Sequence, residues 1–173
     1  ARDHADRIVQ VAQLIGGAFQ AGHKVLLFGN GGSSTDAAHI AAEFVGRYKR
    51  ERAPLPAIAL ATDIAAITCI ANDYGFEELF ARQVQAHGQR GDVAIAISTS
   101  GNSPNVLKGV EAAKALGLTT IAWTGGTGGK LAGMVDYAFV VPSTLTARIQ
   151  ESHITLGHVL CELIEDHVLA NPA

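Results

Sequence analysis

Cysteine, net positive charge and long apolar runs are all scarce in this chain, and each scarcity removes a class of protein. Only two cysteines, Cys69 and Cys161, occur in 173 residues. They are too few and too far apart for a disulfide scaffold or a CxxC-type thiolate site, and their apolar surroundings predict two reduced core thiols. Lys and Arg total 13 against 16 Asp and Glu, a net charge of −3, which argues against a general nucleic-acid surface. No apolar run approaches the roughly 20 residues of a membrane span. The opening Ala1-Arg2-Asp3-His4-Ala5-Asp6 has no secretory pattern, so the expectation is a cytoplasmic protein without membrane or nucleic-acid partners. The chain also starts without Met and inside a helical pattern, which implies a shortened or processed N-terminus.

What is present is apolar and small. Hydrophobic residues make up 48% of the chain and glycine contributes 19 residues, as expected for tightly packed α/β layers, and the length suits a single domain over residues 1–173. Ile8, Val11, Ala12, Ile15 and Phe19 recur at helical spacing in a first helix that ends near Gly22. Apolar runs at 24–28, 57–61, 93–97, 119–123 and 137–141 read as strands buried on both faces. Helical patterns lie between them, at about 35–50, 64–71, 76–88 and 104–116, with a short one near 129–133 and a long last helix from about Thr144 to Leu169. The alternation predicts a three-layer α/β sandwich with a five-stranded parallel sheet.

Three polar turns follow strands: Gly29-Asn30-Gly31-Gly32-Ser33-Ser34, Ser98-Thr99-Ser100-Gly101-Asn102-Ser103, and residues 124–129. In a parallel sheet they gather at the carboxyl edge, where ligands of open α/β sheets bind. Ser103 suits a helix N-cap and Pro104 the first helical position, which aims a helix N-terminus at the second turn. With almost no Lys or Arg inside them, the first two turns form a neutral cradle for a phosphorylated small molecule. Two near-matches fail on detail. The first turn has Ser34 where a dinucleotide fingerprint needs its third glycine, and the acidic residue expected after the second strand is replaced by Ala61-Thr62. Gly125-Gly126-Thr127-Gly128-Gly129-Lys130 is one residue short of a Walker A loop, with Leu131 in place of the magnesium-binding hydroxyl.

His39, Glu43 and Arg47 fall at i, i+4 and i+8 of the second helical pattern, and so on one face. Gln150 and His158 share a stripe of the last helix, with His153 pointing away from it. Two helices can thus present His, Glu, Gln and His to one point, a donor set suited to a divalent ion such as Zn²⁺. Spacing alone leaves the plainer reading open: solvated helix histidines and an ordinary Glu43–Arg47 pair.

Taken together, Asn30-Gly31-Gly32-Ser33, His39-Ile40-Ala41-Ala42-Glu43-Phe44, Asn72-Asp73-Tyr74-Gly75, Ser98-Thr99-Ser100-Gly101-Asn102-Ser103 and Arg148-Ile149-Gln150-Glu151 resemble the bacterial phosphoheptose isomerases of the sugar isomerase (SIS) domain family. The resemblance runs from about Val25 to Leu169. It implies an SIS fold and a homotetramer with active sites shared between subunits. It also implies the aldose–ketose conversion of D-sedoheptulose 7-phosphate to D-glycero-D-manno-heptose 7-phosphate, the first step toward surface heptoses. By the same resemblance Ser98, Thr99, Ser100 and Ser103 hold the phosphate. Asn30, Gly31, Gly32, Ser33, Arg47, Asn72, Asp73 and Gln150, with Glu43, line the sugar. His39, Glu43, Gln150 and His158 ligate one Zn²⁺ per subunit, and Glu43 and His158 are the acid/base pair. The family usually carries a further helix ahead of the one that opens this chain. Some relatives are non-catalytic tetramers that bind the replication initiator protein, and others are sugar-phosphate-sensing modules. The first tend to lose the acid/base positions, which this chain keeps, and the second are usually fused to a partner domain. An isomerase of another ketose phosphate would carry the same cradle.

Overall fold

The computed structural model describes residues 2–170. Its elements run α1 (Arg2–Gln20), β1 (Val25–Gly29), α2 (Gly32–Val45), β2 (Ala57–Ala59), α3 (Ile64–Tyr74), α4 (Leu79–His87), β3 (Val93–Ser98), α5 (Pro104–Leu116), β4 (Thr119–Gly125), β5 (Tyr137–Val141) and α6 (Thr146–Ala170). All five expected strands are present and every pairing is parallel, in the order β2-β1-β3-β4-β5.

The strand alternation builds two cores. Val25 and Leu27 of β1, with Val93, Ile95 and Ile97 of β3 and Ile121 and Trp123 of β4, pack under α1, α2 and α6. The intervening residues Leu26, Phe28, Ala94, Ala96 and Ala122 face α3, α4 and α5. β1 and β3 are buried at every position, which explains why they read as unbroken apolar runs. The local signals also act as expected. Pro104 opens α5, and Gly117 ends it in a left-handed conformation with its N–H on the carbonyls of Ala113 and Lys114.

Several boundaries differ from the sequence reading. β2 stops at Ala59, and the short helical pattern near 129–133 is a 3₁₀ turn, Leu131–Gly133. α2 starts earlier and ends at Val45, not near residue 50, because Gly46 closes it and the following backbone N–H groups bond elsewhere. Arg47 therefore lies beyond the helix that carries His39 and Glu43. It is exposed and stands 3.7 Å from Glu51. The two thiols also part company: Cys161 is buried as expected, whereas Cys69 is exposed. None of the described helices is long and apolar enough to cross a membrane.

The topology itself points to a site. With this strand order the chain leaves β1 toward one edge and β3 toward the other, so a crevice opens between their carboxyl ends. The first two polar turns flank that crevice.

Candidate active site

α2 leaves the first turn and carries His39 and Glu43 one helical turn apart, with His39 Nε2 3.2 Å from Glu43 Oε1. α6 crosses it and brings His158 Nε2 to 3.1 Å from His39 Nε2. Ligand atoms of the three residues all lie within 4.8 Å of one another. His39 and Glu43 keep 47% and 25% of their side-chain surface exposed, so the cluster is open to a ligand. Asp36, one turn before His39, was not singled out by the sequence. Burial raises its carboxyl pKa, and the charge of His39 partly offsets that rise.

α6 can come this close because glycines leave bare backbone beneath it. A Cβ at Gly32 would strike the Gln150 amide, one at Gly125 would strike Ile149, and one at Gly157 would strike Ile40 and Trp123. Gln150 thus rests on the first turn, and His158 falls opposite His39.

The second turn is a compact cradle. Ser98 Oγ and Ser103 Oγ are 3.2 Å apart, Gly101 N–H donates to Ser98 Oγ and Asn102 N–H to Ser100 Oγ. Ser103 occupies the N-cap of α5 without a side-chain cap bond, so its hydroxyl serves the cradle instead. Gly101 has φ +65°, and a side chain there would fall on the Gly128 carbonyl; only glycine lets the third turn close on the second. Beside the cradle lies a cavity of about 360 Å³ walled by Thr99, Ser100, Thr127, Ser143, Thr144 and Thr146, with no charged lining residue.

Asn105, also absent from the sequence reading, is 2% exposed. It exchanges two hydrogen bonds with Asn30, at 2.8 and 2.9 Å. The Asn30 amide therefore ties the first turn to the helix behind the cradle. Ser33 is buried, and Gly31 and Gly32 open α2. Asn72 and Asp73 are not brought to the cluster. They sit exposed at the end of α3, where Asp73 lines a groove with Cys69, Arg82 and His87.

The least expected feature is the clamp on the far side of the cluster. Arg52, 3% exposed, pairs with Glu165, 2% exposed. Its guanidinium donates to Glu165 Oε1 at 3.1 Å and to the carbonyls of Glu43 (2.8 Å), Phe44 (2.9 Å) and Ala53 (3.0 Å). The first two carbonyls belong to the unpaired last turn of α2. Glu165 accepts the backbone N–H groups of Tyr48, Lys49 and Arg50 at 2.8–3.1 Å. The loop so fixed lays the Tyr48 ring on His158, centroids 5.4 Å apart and planes at 21°. Burial by itself would raise the Glu165 carboxyl. The N–H donors of Lys49, Tyr48 and Arg50, together with the Arg52 charge, outweigh it and hold the carboxyl below its ordinary range. Next to this network the Cys161 thiol is pushed up to about 12, by burial first and then by the Glu43 and Glu165 charges. It stays protonated and is no nucleophile.

A sequence model of the SIS domain matches residues 1–125. The chain is 62% identical to the phosphoheptose isomerase of Aquifex aeolicus over 165 residues, covering 95% of this chain and 86% of that protein. It is 59% identical to the phosphoheptose isomerase of Thermodesulfovibrio yellowstonii, covering 99% and 86%. The solved phosphoheptose isomerase of Francisella tularensis superposes with a TM-score of 0.90 at 43% identity, over 93% of this chain and 86% of that one.

Two outcomes are expected of the clamp. Arg52→Met strands a buried carboxylate and should lower the unfolding free energy by about 3–5 kcal/mol, read from urea denaturation at neutral pH. The depressed Glu165 carboxyl stabilises the fold at pH above the unfolded glutamate value of about 4.3, and that contribution disappears as pH falls through the lower folded value. The stability difference between wild type and Glu165→Gln should therefore be full at pH 6 and shrink steadily below about pH 4.3 in unfolding curves.

Proposed function

Because the chain belongs to the SIS-domain family, and its relatives are phosphoheptose isomerases, we propose that it interconverts D-sedoheptulose 7-phosphate and D-glycero-D-manno-heptose 7-phosphate through an enediol. This would be the first step toward nucleotide-activated heptoses. The observation that carries the reading is the convergence of His39, Glu43 and His158 beside a neutral, hydroxyl-rich cradle at the switch point of the sheet. That convergence also speaks against a non-catalytic scaffold, which has no use for an acid/base pair.

Moving a hydrogen between C1 and C2 needs a base at the carbon, an acid at the oxygens and charge stabilisation along the enediolate. Glu43 is the base, and His39 Nε2 stands 3.2 Å from its Oε1. His158 is the acid, exchanging a proton with the substrate oxygens through Nε2, while Tyr48 stacking fixes the plane of its ring. Ser98, Thr99, Ser100 and Ser103, with the N-terminus of α5, grip the phosphate, so that binding at one end orients the reacting end. Gly31 and Gly32 let the sugar approach the backbone, and Gln150, resting on Gly32, closes that side.

The cluster also fits a zinc ion. Donor atoms of a tetrahedral site with ligands about 2.0–2.1 Å from the ion stand about 3.3 Å apart, and here the successive pairs are 3.1 and 3.2 Å apart. His39, Glu43 and His158, with Gln150 on the adjoining turn, would hold it, and since Glu43 and His158 are also the proton-transfer groups, each would have to leave the ion before acting as base or acid. Bound there, zinc would supply Lewis-acid polarisation of the substrate oxygens.

The assembly we infer is a cytoplasmic homotetramer of single SIS domains with sites shared between subunits. Its support is α3, whose Ile64 is 76% exposed and whose end leaves Tyr74 and Phe76 each 55% exposed. Asn72 and Asp73 ride on the same helix, away from their own cluster. A second copy covering this face would carry them into a neighbouring site.

Incubation with sedoheptulose 7-phosphate, followed by NMR of the aldose product, tests the reading. Glu43→Gln should lower kcat by about 10²–10⁴-fold with an unchanged circular dichroism spectrum; near wild-type turnover would remove Glu43 as the base. Chelation should abolish turnover and added Zn²⁺ should restore it, whereas turnover indifferent to the chelator would leave the isomerase without its metal.

A further inference from the structure

His153 is fully buried on α6 against the end of β4. Its Nε2 lies 3.1 Å from the carbonyl oxygen of Thr124 at the end of β4. A carbonyl only accepts, so Nε2 carries the proton and Nδ1 is bare; burial lowers the ring's pKa, in keeping with a neutral imidazole. Nδ1 has no partner, nor have the neighbouring Thr124 Oγ1 and Trp123 Nε1.

The Thr124 carbonyl belongs to the same peptide plane as the Gly125 N–H, which donates to the carbonyl of Thr99 at 3.1 Å. One rigid peptide unit is therefore held on one side by α6 and on the other by the phosphate cradle. His153 lies three residues from Gln150 and five from His158, about 4.5 and 7.5 Å along the helix axis. The α6 contacts nearest it on β4 and α2 are apolar, Ile149 over Gly125 and Gly157 against Trp123 and Ile40, and the Glu165 network directs the helix only about three turns further on; apolar surfaces do not fix an axial position as a directed hydrogen bond does.

We propose that His153 is a positioning residue: through the Thr124–Gly125 peptide it sets the span between the proton-transfer end of the site, on α6, and the phosphate end, at Thr99. The inference rests on the isomerase reading for its kinetic consequence and on geometry alone for its structural one. A misplacement of about 1 Å can cost about 10²-fold in rate, so the span is a rate determinant even though His153 touches no substrate.

The test compares His153→Gln, whose amide nitrogen can reach the same carbonyl, with His153→Met, similar in volume and without a donor. Expected is a His153→Met protein that stays folded, keeps KM for sedoheptulose 7-phosphate within about threefold and loses at least about tenfold in kcat. His153→Gln should recover most of that loss. Equal kcat in wild type and His153→Met, or equal loss in both variants, would overturn the proposal. Crystal structures of wild type and His153→Met supply the second arm, independent of turnover. A shift of His158 relative to the Ser98–Ser103 backbone supports the proposal, and coincident positions in the two structures sink it. Should the wild type itself turn nothing over, the isomerase reading fails and this structural arm still decides.

Discussion

The buried Arg52–Glu165 pair is the contact on which the candidate site depends, because it joins the ends of the two helices that make it. Arg52 closes the carbonyls at the end of α2, Glu165 sits on α6, and the bond between them is made where almost no water reaches. A buried ion pair of this kind is weak evidence for stability, since desolvation offsets much of its attraction. Its value lies in direction. The guanidinium and the carboxylate each have several fixed partners, so α2, α6 and the 46–56 loop have one mutual arrangement in which both charged groups are matched.

Within that frame the site is assembled by close approach. Bare backbone at Gly32, Gly125 and Gly157 lets α6 lie against the first turn, β4 and α2. The same economy of side chain shapes the cradle, where Gly101 meets Gly128 and the hydroxyls of Ser98 and Ser103 face each other. A phosphate held by hydroxyls, N–H groups and a helix N-terminus would need no lysine, which accords with the proposal of an anionic substrate for an acidic chain.

Much of this was legible from the sequence, and what was legible was local. Strand runs buried on both faces, Pro104 at a helix start and turns of glycine and serine after strands all report on residues within a few positions of one another, and each element they predict is present. The errors share a cause. The helix expected to run to residue 50 stops at Val45, and so withdraws Arg47 from the face of His39 and Glu43, because Glu165 takes the next backbone N–H groups. Apolar surroundings predict a core thiol at Cys69, yet α3 buries only its Ile70 side against the core and leaves Cys69 on the open side. Asn105 gave no signal, and Arg52 only that of a basic residue near a helix C-terminus, which its bonds to the Glu43 and Phe44 carbonyls bear out; its pairing with Glu165 acquires meaning only from that distant partner.

The sequence by itself determined the one-turn spacing of His39 and Glu43, the chemistry of the three turns and the parallel order that gathers them at one edge. Helical periodicity and strand alternation are short-range consequences of backbone geometry, so residue types at fixed offsets suffice to specify them. Only the tertiary structure decided that His158 meets His39 across 119 positions, that Tyr48 lies on its ring, and that His153 reaches the carbonyl of Thr124. Those contacts follow from which surfaces are buried against which, and burial is a property of the whole packed chain rather than of any window along it.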